Sequence, residues 1–320
     1  MYTLGAITVG AHVFDQLDNV ALSPGLTPFV AGIGGSVDAQ FAANMGQDLR
    51  LRFTTTQIEL ALDKITQVAD TPKLDGLPIV ATTGANPVVL WWRQLDAGGM
   101  YTGGAVDVKA TVARGILIPT EIDAGLDSPA TAAYELVMLS DGVNVPVVIE
   151  KEQSYTPTHS GTGDYWGLGS TWIDGTLVAA LQRFKLSAGL KVEAIRTGGC
   201  VWPTQASIVE RRPMVEIETL DASVVDAVDA ADLSFGVAGV ALPTGIGNTR
   251  FHLQKLADGG SMVPIATTSH VRFTVTEGMV HVGDVSPTAD NTPISVTITP
   301  THDDTNEAVQ IATGVAIAVS

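Results

Sequence analysis

Leu186–Gly199 reads LSAGLKVEAIRTGG, and Leu22–Gly35, 164 residues earlier, reads LSPGLTPFVAGIGG. Leu, Ser, Gly, Leu, Gly and Gly fall in the same places. With that spacing held and no gap, nine of the first 35 residues match their partners, including Leu4-Gly5 with Leu168-Gly169 and Leu17 with Leu181. Unrelated chains of average composition would share about two or three. With small insertions the echo continues in the same order. Leu51–Ile65 (LRFTTTQIELALDKI) meets Met214–Val228 (MVEIETLDASVVDAV), and Leu90–Met100 (LWWRQLDAGGM) meets Phe251–Met262 (FHLQKLADGGSM). Val147–Ile149 then meets Val309–Ile311. Composition alone would not keep that order. The expectation is a duplicated domain.

Length agrees, because 320 residues suffice for about two domains of ~150 residues. The first repeat is placed at residues 1–150 and the second at 165–320. Between them the run Lys151–Asp164 (KEQSYTPTHSGTGD) is polar, holds Pro157 and two glycines, and shows no hydrophobic period, which marks a linker. Since Met1 aligns with Tyr165, no N-terminal extension is expected to serve as a signal peptide, and the opening MYTLGAITVG lacks a basic n-region. No uninterrupted apolar run approaches the ~18 to 20 residues of a transmembrane helix, so no membrane insertion is expected.

Most segments have the alternation or β-branched content of strands. In the first half these are Asp48–Thr54, Val88–Leu95, Ala105–Val112, Gly115–Ile118, Ala133–Leu139 and Val145–Ile149. The second half supplies Met214–Glu218, Arg250–Leu256, His270–Thr276, Gly278–Val282, Pro293–Ile298 and Ala308–Ile311. Short gaps favour antiparallel pairing, since parallel strands need long crossovers. One helix per repeat interrupts the pattern. Thr56 and Glu59 form a capping box ahead of Ile58, Ala61, Leu62 and Ile65, and Asp221 precedes Val224, Val225 and Val228. The fold class expected is mainly β: two tandem homologous antiparallel β-sandwiches, each with one short flanking α-helix.

Chemistry is sparse. The histidines, His12, His159, His252, His270, His281 and His302, nowhere stand at H-x-x-x-H spacing, and there is no C-x-x-C. Thr301–Asp304 (THDD) is the densest local group of potential ligands, and a solvated turn accounts for it. Cys200, the sole cysteine, has Ser36 as its repeat partner and is expected to be a small packed residue in a chain that folds in a reducing compartment. The glycine pairs at Gly32–Gly35, Gly161–Trp166 and Gly167–Trp172 do not complete G-x-G-x-x-G, and no G-x-S-x-G occurs. In a strand, one ring of Trp91-Trp92 should enter the core while the other faces outward or into an interface. Glu216 and Glu218 lie at i, i+2 on one strand face, where neighbouring cations suit them better than acid and nucleophile roles. No catalytic, cofactor-binding or metal-binding residues, and no cofactor, are expected.

Charge narrows the partners. Against 17 Lys and Arg stand 34 Asp and Glu, a net charge of −17 spread over both halves, and the only adjacent basic pair is Arg211-Arg212. A protein that grips nucleic acid by neutralising phosphates needs the opposite balance.

The order of the Gly-rich PFVAGIGGSVDAQF, the Arg- and Thr-rich strand LRFTTT and the capped helix QIELALDKI resembles the start of the tail tube proteins of long-tailed bacteriophages. The likeness is strongest over residues 26–65. It implies β-sandwiches with a flanking helix, set in rings whose inner strands join into one barrel, with stacked rings forming a channel for DNA. Most such proteins have one domain and six copies per ring. A chain with two tube domains implies three copies in a pseudo-six-fold ring, contacts with tape-measure and tail-end proteins, assembly in the host cytoplasm and residence in the virion tail. Genome DNA would pass an acidic wall without specific binding. Two other classes fit the residues less well: an adhesin-like surface or virion protein, and a carbohydrate-active enzyme.

Overall fold

The computed structural model describes residues 1–31, 41–64, 67–68, 71–80, 87–112, 114–159, 165–173, 175–221, 240–241, 249–257, 259–275, 277–282, 293–302 and 307–317. The first half runs β1 (Tyr2–Val9), β2 (His12–Phe14), β3 (Leu17–Ser23), β4 (Leu26–Ala31), β5 (Phe41–Gln47), β6 (Arg50–Thr55) and the helix α1 (Ile58–Lys64). It continues with β7 (Gln67–Val68), β8 (Thr71–Pro72), β9 (Leu77–Val80), β10 (Val88–Gln94), β11 (Ala105–Val112), β12 (Arg114–Gly125), β13 (Ser128–Met138) and β14 (Val147–Ser154). The second half runs β15 (Tyr165–Ile173), β16 (Thr176–Val178), β17 (Leu181–Ser187), β18 (Leu190–Ile195), β19 (Gln205–Arg211) and β20 (Met214–Thr219). After these come β21 (Val240–Ala241), β22 (Thr249–Leu256), β23 (His270–Val275), β24 (Gly278–Val282), β25 (Ile294–Pro300) and β26 (Gln310–Val315).

The chain is mainly β, built from several antiparallel sheets with one short helix among the described residues. Two outer sheets have the orders β14-β11-β10-β1-β2 and β16-β15-β22-β23-β26. The central sheet runs β21-β24-β25-β20-β17-β12-β13-β6-β3, with β9 also on β12. Hairpins β4–β5 and β18–β19 stand apart as two-stranded sheets. The bounds of β2 through β6 recur, residue for residue, 164 positions later in β16 through β20.

Register corrects one sequence alignment. The echo sets Leu51 against Met214, whereas the strand bounds set it against Val215 and set Thr55 against Thr219. A one-residue slip would turn every side chain to the wrong face. Leu51, Phe53 and Thr55 point into the core from β6, as Val215, Ile217 and Thr219 do from β20. One buried cluster extends from Ile7 in the first half to Ile311 in the second, drawing on both outer sheets and on the inner face of the central one. Phe184 of β17 stacks on Phe251 and Phe273, so the second outer sheet lies directly over β17.

The echoed glycines have a shared task. Gly25 and Gly189 both sit at positive φ, their carbonyls accept hydrogen bonds from Asp48 N and Arg212 N, and an added Cβ would strike the Asp48 or Arg212 carbonyl oxygen. Only glycine fits such a turn without strain.

Some expectations shift. Lys151–Ser154 belong to β14, where Ser154 and Gln153 pair with Ala105 and Asp107 across two irregularities. An edge strand needs backbone pairing rather than apolar side chains, which is why the polar run concealed it. Residues 155–159 of the linker follow β14 without regular structure, and residues 160–164 lie outside the described residues, as do Ile65, the helix placed after Asp221 and Gly32–Gly35. In the turn ahead of α1, Thr55 Oγ1 accepts from Gln57 N and the Thr56 hydroxyl donates to Gln16 Oε1, while Gln57 O accepts the first helical bond from Ala61 N. Thr219 accepts from Asp221 N in the same manner.

Candidate assembly surface

The central sheet crosses from one half to the other at β12 and β17. Glu121 pairs with Ser187, Asp123 with Lys185 and Gly125 with Arg183. These pairs point away from the core, because they alternate with the buried Ile122, Ala124, Phe184 and Leu186. A ladder of charge results. Arg183 holds Asp123 with two nitrogens at 2.7 and 2.9 Å and stands 3.9 Å from Glu218, and Lys185 meets Glu121 at 2.9 Å. Donating hydrogen bonds to these carboxylates raises both cations' pKa.

The second half also reaches over the first. At the tip of β18–β19, Val201 O and Pro203 O accept from Gln47 N and Ser140 N, and Trp202 Nε1 donates to Gln47 Oε1. At its base Arg211 binds Asp75 at 2.9 Å and Glu307 at 3.2 Å, and Lys73 reaches Glu307 at 2.9 Å. β26 lies against β8 and α1, where Thr313 Oγ1 donates to Asp63 Oδ1 at 2.6 Å.

Each element that the second half places on this join has a counterpart in the first half. β3 matches β17, β4–β5 matches β18–β19, and β14 matches β26 in sheet order. Among the described residues β3 pairs only with β6, and no described strand lies on its outer edge. Leu22 of β3 is 45% exposed, whereas Leu186 in the matching place is 0% exposed. Ile149 pairs with Ala110 and Ile311 with Phe273 at matching positions, yet Ile149 is 61% exposed and Ile311 6%.

The residues singled out in the sequence do not converge. Trp91 is buried and meets the Tyr155 ring edge-on, while Trp92 is partly buried against the core, so neither ring is presented to solvent as a stacking platform. Strand register sets Trp91 opposite the place of His252, and Trp92 that of Leu253. Glu216 lies across from Lys185, and Glu218 is paired with Arg183. Cys200 is half-exposed and directs its Sγ at Gly142 O. His302 is exposed, and residues 303–304 of the THDD run lie outside the described residues.

Histidines serve structure instead. His270, fully buried, accepts from Lys255 N at Nδ1 and contacts Pro264 O through Nε2. In the corresponding place Asp107 accepts from Gln94 N. His252 Nδ1 bonds Ser170 O, and burial pushes its pKa down to about 4. His159 pairs with Asp15 at 2.8 Å and stacks on Tyr155, tying the segment after β14 to the first half. Glu135 takes hydrogen bonds from Arg50 and Arg52; burial raises its pKa, but the two guanidinium groups outweigh that and hold it below the ordinary carboxylate range. Among the described residues no group of three or more His, Cys, Asp or Glu is set to hold a metal ion.

Sequence reasoning missed the join itself. A signal was present in the 164-residue spacing, since Arg183 and Lys185 stand where the first half has Asn19 and Ala21. A charge added in only one copy points to a contact made by only one copy. Compared with family models and with curated proteins, the chain matches neither.

Proposed function

We propose that the chain is a self-assembling structural protein of the tail-tube kind. In this reading it holds two copies of one β domain, and three chains close a pseudo-six-fold ring whose stacks enclose a channel for DNA. The observation that carries the reading is the central sheet, which passes unbroken from β12 to β17 and ends at β3 on an edge with no neighbour among the described residues. Two features support the duplication beneath it: the matching order of the outer sheets, and the recurrence of β2–β6 as β16–β20. An open sheet with complementary ends invites pairing, and a closed ring removes its free edges.

The outward face of the central sheet is the candidate channel wall. It carries Glu121, Asp123, Glu135, Glu216 and Glu218 against Arg50, Arg52, Arg183 and Lys185. Carboxylates lead on that face as in the whole chain, and such a wall lets a polyanion slide because it offers few counter-charges for phosphate. Electron microscopy of the purified chain tests the proposal. Rings or tubes with three chains per ring are expected. Six chains per ring, a lumen richer in Lys and Arg than in Asp and Glu, or turnover abolished by one polar substitution would overturn it.

A further inference from the structure

The geometry points to the outer side of the first half, formed by β3 and the exposed face of β14, as the docking surface for the second half of another copy of this chain. We infer that this contact is neutral and apolar, unlike the join within the chain. The inference rests on the duplicated-domain reading above and adds where, and with what chemistry, one copy meets the next.

The join inside the chain is the template. There Leu186 of β17 and Ile311 of β26 are buried beside the first half, whereas their counterparts Leu22 of β3 and Ile149 of β14 are exposed. Leu22, Val145, Val148 and Ile149 are exposed on these elements or beside them. Exposed apolar residues scattered over a surface are ordinary. Here, however, Leu22 and Ile149 hold the places of Leu186 and Ile311, which the internal join buries. The outer edge of β3 adds a row of backbone donors and acceptors that a strand of another copy can satisfy. A second copy is the occupant the structure favours, because a surface able to receive these elements has already been built once in the same chain.

Charge then separates the two contacts. The internal join places Arg183, Lys185, Arg211 and Glu307 in ion pairs. At the places of Arg183, Lys185 and Glu307 the first half has Asn19, Ala21 and Val145. These ionic positions are therefore neutral on the free surface. Contact between copies depends on strand pairing and apolar burial, and the chief opposition is repulsion between chains that each carry −17. Salt screens that repulsion and leaves apolar burial intact.

The test uses the full chain, with mass photometry and sedimentation at about 50 mM and about 500 mM NaCl. Self-association is expected to strengthen with salt, and hydrogen exchange at β3 and β14 should slow on assembly. The double variant Leu22→Glu, Ile149→Glu should raise the half-assembly concentration at least about tenfold, while Met100→Glu, on the exposed β10–β11 loop, should leave it unchanged. Both altered residues are solvent-exposed, so circular dichroism should show the wild-type fold; if it does not, the exchange pattern of the wild type decides. Assembly of the double variant at wild-type concentration, or unprotected β3 amides in the assembly, would overturn the surface and leave the tube reading standing. Dissolution of assemblies by salt would overturn the neutral contact. A wild-type chain that stays monomeric at about 100 µM, a concentration that populates even weak pairs, would overturn both.

Discussion

Phe184→Ala probes whether the two halves fold as one body. Phe184 is 1% exposed, with the rings of Phe251 and Phe273 at 5.2 and 5.5 Å, and its neighbours in β17 hydrogen-bond to β12 of the other half. Removing a buried Phe side chain costs about 3 to 5 kcal/mol, from lost transfer energy plus the cavity. Unfolding entropy of about 2.1 cal/mol/K per residue gives about 0.7 kcal/mol/K for the whole chain, so a loss of about 4 kcal/mol lowers Tm by about 6 °C. If the second half melted alone, its entropy would be about half as large and the drop about 12 °C. The buried cluster and the central sheet both cross the join, so a single transition shifted by the smaller amount is expected. Differential scanning calorimetry separates the cases. Two resolved transitions, one unmoved and the other displaced by about twice that amount, would refute the one-body argument.

Acid should weaken the second half through His252. Its folded pKa of about 4 lies below the ordinary value of 6.5, so the unfolded chain binds the extra proton first and stability falls as pH drops from about 6.5 to 4, by at most about 3 kcal/mol. In urea titrations His252→Asn should flatten that slope, and an unchanged slope would exclude His252 as its source. Gly189→Ala should lower the urea midpoint more than Gly99→Ala, because both have positive φ but only Gly189 faces a carbonyl oxygen; equal losses would count against the close approach. If the outward face of the central sheet lines a channel, Glu216→Lys with Glu218→Lys should slow DNA ejection from assembled particles, more at low salt than at high. An equal effect at both salts would remove the electrostatic account.

Legibility in the sequence followed how locally each feature is determined. The bounds of β11 and β24 match their sequence ranges, since each is a compact alternating run between turn residues. β1 to β5 and β15 to β19 were missed. β15 carries Gly167 and Gly169 and breaks register between Leu168 and Thr171, so its period of two is interrupted; Gly169 is needed where a Cβ would press on the His252 backbone. β18 and β19 alternate only between half-buried and exposed, which leaves no apolar stripe to detect. Pairing of Arg211 with Asp75, or of Lys73 with Glu307, joins residues remote in sequence, and no local pattern encodes it. The recurring glycine turn, by contrast, was visible because Gly25 and Gly189 admit no substitute without strain.

On β12 two strands share a single edge end to end. β9 takes Arg114 to Leu117 and β17 takes Glu121 to Gly125, with Ala188 N bonded to Thr120 O between them. β17 therefore cannot slide toward the start of β12 without displacing β9, and Gly189 turns the chain out of the sheet where β9 begins. Occupancy, as well as side-chain preference, holds Lys185 beside Glu121 and Arg183 beside Asp123. β9 acts as a mechanical stop, and a shortened β9 would free the join to creep by two residues, keeping every face correct while shifting each charge past its partner.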